Sequence, residues 1–380
     1  MKIGLPKEIK NNEGRVGLTP HAVSEFIKAG HTVFVEKNAG VESGFNDEEY
    51  IKAGASIVDT KTAWDQPMIV KVKEPLESEY KYFKENQIIY TYFHLAGDRA
   101  LTDALMNKKV ISVAYETMVK DGRLPLLAPM SRVAGKRSVI IAATHLEKHH
   151  GGEGILPGGV LGTEKGQFVI IGGGVAGENA CRAALGLGAN VTILDSNPKA
   201  IEFLNKCETC HGLTKIFGNK YIVETATPEN IAKWVKQADA VISTVLVRGA
   251  SAPKVVSEAM VKTMKKGSVI IDIAIDQGGS IETVDHITTH DKPTYVKHGV
   301  IHYAVANMPG ATPRTATAAL VHATTEYGLI LAKEGIKAAL HNDTILTGIN
   351  TISGHLTCEP VSKTFTDIKL YDAKELVSKL

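Results

Sequence analysis

The chain has 380 residues, of which 44% are apolar and 22% are charged, a composition typical of a globular protein long enough for two domains. Its formal net charge is +2 and its densest basic run, 262–266, is short, so nucleic acid and anionic membrane are poor candidate partners. No stretch reaches about 18 apolar residues, the first residues lack the apolar segment of a signal peptide, and four Cys do not make a disulfide scaffold. We therefore expect a cytoplasmic protein of enzyme size.

The first third of the chain alternates short β-rich apolar runs with amphipathic stretches, which predicts parallel βαβ units. Predicted strands cover 2–6, 32–36, 68–72, 88–93 and 110–114. Predicted helices cover 20–29, 47–53, 78–84 and 98–107.

A second alternating series follows a predicted long helix over 132–149 and a Gly-rich turn. Its predicted strands are 168–171, 191–194, 240–245 and 269–275, with a helix over 175–187. Their nearly continuous Val, Ile and Leu content is typical of parallel strands covered on both faces. A further helix is predicted over 316–333, and the tail after residue 342 is weakly patterned. The predicted class is therefore α/β, with doubly wound parallel sheets.

The strongest local motif is a glycine-rich turn between a predicted strand and a predicted helix. Gly172 stands where the turn is tight, Gly174 where the backbone approaches a pyrophosphate, and Gly177 where helix and strand pack closely. The start of the helix directs unsatisfied N–H groups toward the phosphates. Because the acidic Asp195 ends the next strand, where ribose hydroxyls bind, the motif predicts a dinucleotide site.

Asp195 also bears on the choice of nucleotide. A carboxylate accepts hydrogen bonds from a ribose 2′-hydroxyl and repels a 2′-phosphate, which favours NAD over NADP. A helix N-cap role for the same residue is compatible with this one.

Seven motifs distributed along most of the chain resemble those of the alanine dehydrogenase family. They are GLPKE at 4–8 with Asn12, Glu13 and Arg15, KVKEP at 71–75, HLA at 94–96, AYET at 114–117, LLAPMS at 126–131, DIAIDQGG at 272–279 and VANMP at 305–309. The family interconverts L-alanine with pyruvate and ammonia, using NAD, and the resemblance implies the same activity here.

The resemblance also implies how the domains are arranged. Two Rossmann-like domains are expected, with a discontinuous substrate domain formed by 1–128 and 307–380. The NAD-binding domain, 129–306, is inserted between these parts and includes the linking helix. A homo-hexamer is expected as well, which nothing in the composition indicates.

Two cations match the family's substrate-binding residues. Arg15 matches the carboxylate-binding arginine, and a planar guanidinium suits a bidentate carboxylate. Lys73 matches the second cation, which contacts the carboxylate or the keto oxygen. Lys71 would point to the same face of a regular strand as Lys73, so only the resemblance separates these two lysines.

Four further residues match functional positions of the family. His94 is the expected proton-transfer group, since histidine titrates near neutral pH. Asp276 matches the family's catalytic aspartate, which orients or activates the attacking water, and it would share a strand face with Asp272 if that strand stayed regular. Asn307 matches a residue near the nicotinamide and the substrate, and Ser131 matches a pyrophosphate contact.

Other motifs carry weaker signals, and no metal site is expected. The run Cys207–Glu208–Thr209–Cys210–His211 fits covalent haem or three zinc ligands, but the family has no shared cysteine cluster here. Glu147, His149 and His150 are interpreted as the polar end of a helix. Arg132 stands where the family more often has an acid.

Three alternative functions remain open from the sequence. The NAD-binding component of proton-translocating transhydrogenase resembles the chain over the same span, but it lacks the histidine at position 94 and the full Lys-x-Lys-Glu-Pro run. An opine or saccharopine-type dehydrogenase would act on larger amino acids. A catalytically silent NAD sensor would not require the intact set of Arg15, Lys73, His94 and Asp276.

Overall fold

The computed structural model describes residues 1–245 and 252–380, and the side chains of Asp276 and Gln277 lie outside this description. The described chain divides into two compact units. Unit 1 comprises 1–130 and 310–380, and unit 2 comprises 131–309. Each unit is built on a largely parallel sheet flanked by helices, which confirms the predicted α/β class.

The strands within the described residues are β1 Lys2–Leu5, β2 Thr32–Glu36, β3 Ser56–Val58, β4 Met68–Val70, β5 Ile88–Thr91, β6 Ile111–Ala114, β7 Gln167–Ile171, β8 Asn190–Asp195, β9 Tyr221–Thr225, β10 Ala240–Ser243, β11 Val269–Asp272, β12 Thr294–Lys297, β13 Val300–Tyr303, β14 Ile349–Ile352 and β15 His355–Leu356.

The α-helices within the same residues are α1 Pro20–Lys28, α2 Asp47–Lys52, α3 Thr60–Trp64, α4 Arg99–Asn107, α5 Ala128–His145, α6 Val175–Gly186, α7 Pro198–Asn205, α8 Glu208–Phe217, α9 Pro228–Val235, α10 Glu258–Val261, α11 Pro313–Glu334, α12 Asp343–Gly348, α13 Glu359–Thr364 and α14 Ala373–Ser378. Among these described helices, none combines the length and the apolar character that crossing a bilayer requires.

The sheet of unit 1 has the strand order β15-β14-β6-β5-β4-β1-β2-β3. Strands β1 to β6 pair in parallel, and β4, β5 and β6 are buried along their whole length, as their apolar sequences predict. The weakly patterned tail supplies two further strands, since β14 pairs antiparallel with β6 and with β15. This edge departs from the purely parallel sheet that the sequence predicts.

The sheet of unit 2 has the order β12-β13-β11-β10-β7-β8-β9. All neighbouring strands are parallel except β12 and β13, which form a hairpin. His298 and Gly299 connect these two strands with φ of 56° and 79°, the backbone of a tight two-residue hairpin turn. Helices α6 and α8 cover one face of this sheet with the buried side chains of Cys181, Ala184 and Cys210.

Some predicted boundaries are wrong because a side chain or turn ends the element early. The long helix runs from Ala128 to His145 and is followed by a 3₁₀ turn, Lys148–His150, instead of covering 132–149. The segment 78–84 is a 3₁₀ helix, Glu77–Tyr82. Strand β11 stops at Asp272, because its carboxylate accepts the N–H of Ala274 at 3.0 Å and begins the 3₁₀ turn Ile273–Gln277.

Candidate active site

The candidate substrate residues of unit 1 follow three neighbouring strands. Arg15 lies in the connection after β1, Lys73 comes three residues after β4, and His94 comes three residues after β5. Strands β5, β4 and β1 are adjacent and parallel, so their carboxyl ends meet at one edge of the sheet. Ligands of open α/β sheets bind at this kind of edge.

Arg15 is held by a buried ion pair with Glu13. Its Nε and Nη2 donate to the two carboxylate oxygens at 2.6 and 2.5 Å, and the two side chains are only 2% and 0% exposed. Burial alone would lower the pKa of Arg15, but the hydrogen bonds and charge of Glu13 raise it above its ordinary value. Arg15 is therefore a rigid, permanently charged group and not a solvated surface arginine.

Lys71 and Lys73 differ sharply in their surroundings. Lys71 is 1% exposed, and its Nζ lies 3.2 Å from Oε2 of Glu8 and 3.1 Å from Oε1 of Glu79. Burial would lower the pKa of Lys71, but these two carboxylates raise it. Lys71 is therefore an ammonium ion whose charge is balanced by its two buried partners. Because β4 ends at Val70, the strand alternation that made the two lysines equivalent does not extend to them.

The Nζ of Lys73 makes no hydrogen bond or ion pair with any residue in the described ranges 1–245 and 252–380. Its backbone is nevertheless fixed, since Oε1 of Glu8 accepts the N–H groups of Val72 at 2.7 Å and Lys73 at 3.4 Å. The arrangement favours Lys73 over Lys71 as a cation available to a ligand.

His94 has a left-handed backbone, with φ of 52° and ψ of 37°. Oε1 of Glu116 accepts the N–H groups of Phe93 at 3.0 Å and His94 at 2.6 Å, which stabilises this turn. The His94 side chain is 46% exposed, and its Nδ1 lies 3.4 Å from Oε2 of Glu74. The imidazole is thus accessible to solvent and next to a carboxylate.

The glycine-rich turn of unit 2 has the backbone that the fingerprint requires. Gly172 has φ of 101°, and a Cβ on Gly177 would lie 1.8 Å from the carbonyl oxygen of Gly172. A Cβ on Gly174 would meet nothing within 4 Å, so this backbone borders open space at the start of α6. The turn therefore fits a pyrophosphate bound against the helix N-terminus.

Asp195 connects the end of β8 to this turn. Its Oδ2 accepts the N–H of Gly173 at 2.5 Å, and its Oδ1 accepts the N–H of Asn197 at 2.6 Å. Sequence reasoning missed Thr244, whose hydroxyl donates to the carbonyl of Gly172 at 2.8 Å. Its only signal in the sequence is its position after a buried strand.

Asp272 and Asp276 do not share a strand face, so that expectation is wrong. Asp272 is buried, and its carboxylate accepts the N–H groups of Ala274, Ser280 and Ile281, at 3.0, 2.7 and 3.2 Å. It anchors the segment that contains Asp276, whose backbone lies in the 3₁₀ turn and whose side chain is outside the described part.

The two other predicted cofactor contacts belong to unit 2. Ser131 lies near the start of α5. Asn307 follows β13 and has φ of 57°, a left-handed conformation that asparagine tolerates better than most residues.

The two clusters considered for metal have distinct environments. Cys207 and Cys210 are buried, and Cys207 caps α8 by accepting the N–H of Cys210 at 3.3 Å. Within the described residues they belong to no group of three metal-ligating side chains. Glu147, His149 and His150 are exposed, with one ligand atom each within 4.8 Å of the others, and Glu147 already pairs with His149 at 3.3 Å.

Two Rossmann-like units, one of which carries this turn, define a dinucleotide-binding protein. Profiles of the alanine dehydrogenase/PNT family match both parts, the N-terminal domain over residues 4–134 and the C-terminal domain over residues 138–359. Alanine dehydrogenase 2 of Staphylococcus aureus is 55% identical over 368 residues, which is 96% of each chain. This chain belongs to the alanine dehydrogenase/PNT family, and its cofactor is a nicotinamide nucleotide.

Solved structures agree with this assignment. An L-alanine dehydrogenase matches with a TM-score of 0.90 and 45% identity, over 97% of this chain and 100% of that one. A transhydrogenase from Sinorhizobium meliloti matches with a TM-score of 0.78 and 25% identity, over 94% of this chain and 99% of that one.

Proposed function

We propose that this chain is an NAD-dependent dehydrogenase that interconverts L-alanine with pyruvate and ammonia. The observation that carries the proposal is the trio Arg15, Lys73 and His94 at the carboxyl edge of one sheet. The trio combines two cations for a carboxylate and a keto oxygen with a group suited to proton transfer. The 55% identity to alanine dehydrogenase 2 over nearly the whole of both chains supports the same conclusion.

We assign the amino acid to unit 1 and the nucleotide to unit 2. Arg15 binds the substrate's carboxylate, and the paired Glu13 keeps the guanidinium oriented for it. Glu13 engages the N–H donors of Nε and Nη2, which fixes the plane in which the guanidinium would meet the carboxylate. Lys73 contacts the carboxylate or keto oxygen and stabilises negative charge that develops there.

The chemistry requires proton transfer at the substrate and a positioned water. His94 hydrogen-bonds the carbonyl oxygen of pyruvate and gives it a proton in the reductive direction, and it removes the proton in the oxidative direction. Asp276 orients the water that hydrolyses the imine. A nicotinamide nucleotide held by unit 2 would supply the acceptor for the hydride that leaves Cα of the amino acid.

The preference for NAD rests on Asp195. Its carboxylate already accepts two backbone N–H groups, and its remaining lone pairs would accept the ribose hydroxyls and repel a 2′-phosphate. Gly172, Gly174 and Gly177 would hold the pyrophosphate, as in other fingerprint turns. By the family resemblance, Ser131 contacts the pyrophosphate and Asn307 lies near the nicotinamide and the substrate.

The family resemblance also supports a homo-hexamer. Light scattering or sedimentation of dilute protein is expected to give the mass of six chains. A stable and fully active monomer would contradict this assignment.

One assay tests the activity. The rate of NADH oxidation is measured with pyruvate, with and without ammonium, and also with a second nicotinamide nucleotide in place of pyruvate. The proposal expects turnover that depends on both pyruvate and ammonium. Reduction of pyruvate without ammonium would indicate a hydroxy-acid dehydrogenase, and hydride transfer only between nucleotides would indicate a transhydrogenase component.

A further inference from the structure

The surroundings of His94 contain a carboxylate that the proposed chemistry does not use. Glu74 is nearly buried, with a side chain 12% exposed, and it follows Lys73 directly in the KVKEP run. Its Oε1 pairs with Nζ of Lys10, while its Oε2 lies 3.4 Å from Nδ1 of His94. Glu74 therefore bridges a lysine and the imidazole.

The second oxygen of this carboxylate has no hydrogen bond in the described part of the chain. Oε2 is inaccessible to solvent, and its contact with Nδ1 of His94 does not meet hydrogen-bond geometry. An unsatisfied buried carboxylate oxygen is costly, so a small rotation of the ring that brings Nδ1–H onto Oε2 is favourable.

The backbone of His94 is already fixed, which leaves only the side-chain torsions to be determined. Glu116 accepts its N–H at 2.6 Å, and the left-handed backbone sets the direction of Cβ. Tyr92 covers part of the ring, with ring centroids 5.9 Å apart. Among the described neighbours, Glu74 is the carboxylate that the ring itself meets within ion-pair distance.

The charge of Glu74 is maintained in this environment. Burial on its own would raise the pKa of Glu74, but the contact with His94 and the positive charges of Lys73 and Lys10 hold that pKa well below its usual range. Near neutral pH the carboxylate is therefore negative, and its Oε2 lies beside Nδ1 of His94.

We propose that Glu74 is the positioning residue of His94: it binds Nδ1–H, which directs Nε2 toward the substrate, and it stabilises the protonated ring. This inference rests on the proposed function of His94 as the proton-transfer group. The charged and titratable groups around the ring and its carboxylate partner in the described chain are Lys10, Lys73, Glu74, Tyr80, Tyr92 and Glu116. Glu74 does not contact the reacting atoms and acts through the orientation and charge of His94.

Glu74→Gln tests the proposal, because it keeps the size of the side chain and removes its charge. Glu85→Gln is the matched control, since Glu85 is an exposed glutamate of the same unit paired with Lys109. In reductive amination, kcat of Glu74→Gln is expected to fall about tenfold or more while NADH affinity stays within about twofold. In the profile of kcat against pH, the limb on which kcat falls with rising pH should move to lower pH in Glu74→Gln, because the variant lacks the negative charge beside the imidazole.

A second measurement does not depend on turnover. Diethyl pyrocarbonate modifies the neutral imidazole, and His94 is half-exposed, so its modification at pH 6 can be followed by mass spectrometry. The rate is expected to rise several-fold in Glu74→Gln and to stay at the parent value in Glu85→Gln. Parent-like kcat, pH profile and modification rate in a folded Glu74→Gln variant would overturn the positioning role.

These two measurements separate the two proposals. If the parent protein lacks ammonium-dependent turnover but the modification rate responds to Glu74→Gln, the proposed function fails and the Glu74–His94 interaction stands. If the parent turns over and neither measurement responds, the proposed function stands and the role of Glu74 fails.

Discussion

Nε and Nη2 of Arg15 each donate to a different oxygen of Glu13, in a pair that is almost completely buried. Such a two-point contact fixes the plane of the guanidinium, which a single contact to an ammonium group does not do. Glu13, two positions earlier in the chain, thus fixes the orientation of the Arg15 guanidinium.

Arg15→Lys is expected to raise KM for pyruvate at least tenfold and to leave NADH affinity unchanged. The lysine keeps the charge but loses the planar fork, so the two-point contact with buried Glu13 is lost and the free energy of unfolding is expected to fall. Steady-state kinetics and thermal unfolding measure the two effects. Arg99→Lys is the control, because Arg99 is exposed and pairs with Asp103 and Asp367 in the same unit. An unchanged KM in Arg15→Lys would exclude Arg15 as the carboxylate-binding group.

Gly174→Ala is expected to weaken NADH binding, whereas Gly177→Ala is expected to destabilise the fold. Gly174 has φ of −68° and free space around a Cβ, so its alanine variant should fold normally and lose at least tenfold in NADH affinity as the methyl group obstructs the phosphates. Gly177→Ala forces the Gly172 carbonyl aside and should destabilise unit 2 by about 1–3 kcal/mol.

Fluorescence titration with NADH and thermal unfolding distinguish these outcomes. Gly186→Ala, at the other end of α6 and with nothing within 4 Å of its Cβ, is the control for both. Parent-like NADH affinity in Gly174→Ala would show that phosphates do not bind at this turn.

Asp195→Ala should weaken NAD binding by about 1.5–3 kcal/mol and narrow the preference for NAD over NADP. Asp195→Ala removes the acceptor for the ribose hydroxyls, and it also removes the carboxylate that accepts the N–H of Gly173 within the turn. Asp195→Asn separates them, because the amide keeps one acceptor oxygen and removes the repulsive charge. Kd values for both nucleotides provide the measurement, and an unchanged ratio in the two variants would remove Asp195 from the ribose site.

Glu153 is expected to make the stability of unit 2 depend on pH. Burial, and then the nearby charge of Asp239, raise the pKa of Glu153 to about 7. The folded chain therefore binds the proton of Glu153 more tightly than the unfolded chain does. The free energy of unfolding that this proton contributes falls as pH rises from about 4.5 to 7, and it stays constant above pH 7.

Glu153→Gln mimics the protonated form and should remove that dependence. The melting temperature of the variant relative to the parent is expected to be higher at pH 8 than at pH 5. Glu164→Gln, a substitution at an exposed position of the same unit, should give the same difference at both pH values. A constant difference for Glu153→Gln would contradict the prediction.

The sequence predicted the elements that are defined by local pattern. Strands such as β7 and β10 are continuous apolar runs, and the glycine turn is fixed by spacing within six residues. The sequence could not distinguish Lys71 from Lys73, because that difference depends on Glu8 and Glu79, which only the fold brings to Lys71. The early end of β11 escaped prediction for a related reason: Asp272 finds its partners at Ser280 and Ile281, across a turn that apolar periodicity does not indicate.

The left-handed backbone of His94 has a consequence for how this enzyme could be stabilised. A residue with a Cβ in that conformation costs about 1–3 kcal/mol relative to glycine, and the proposed role of the imidazole gives a reason for a histidine at that place. His94→Gly should therefore melt at a higher temperature than the parent and be inactive, whereas His94→Ala keeps the backbone strain and should gain nothing. Under the proposed role of His94, selection for a robust fold and selection for turnover favour opposite residues at this position, and a search for thermostable variants that does not also assay activity would remove the histidine.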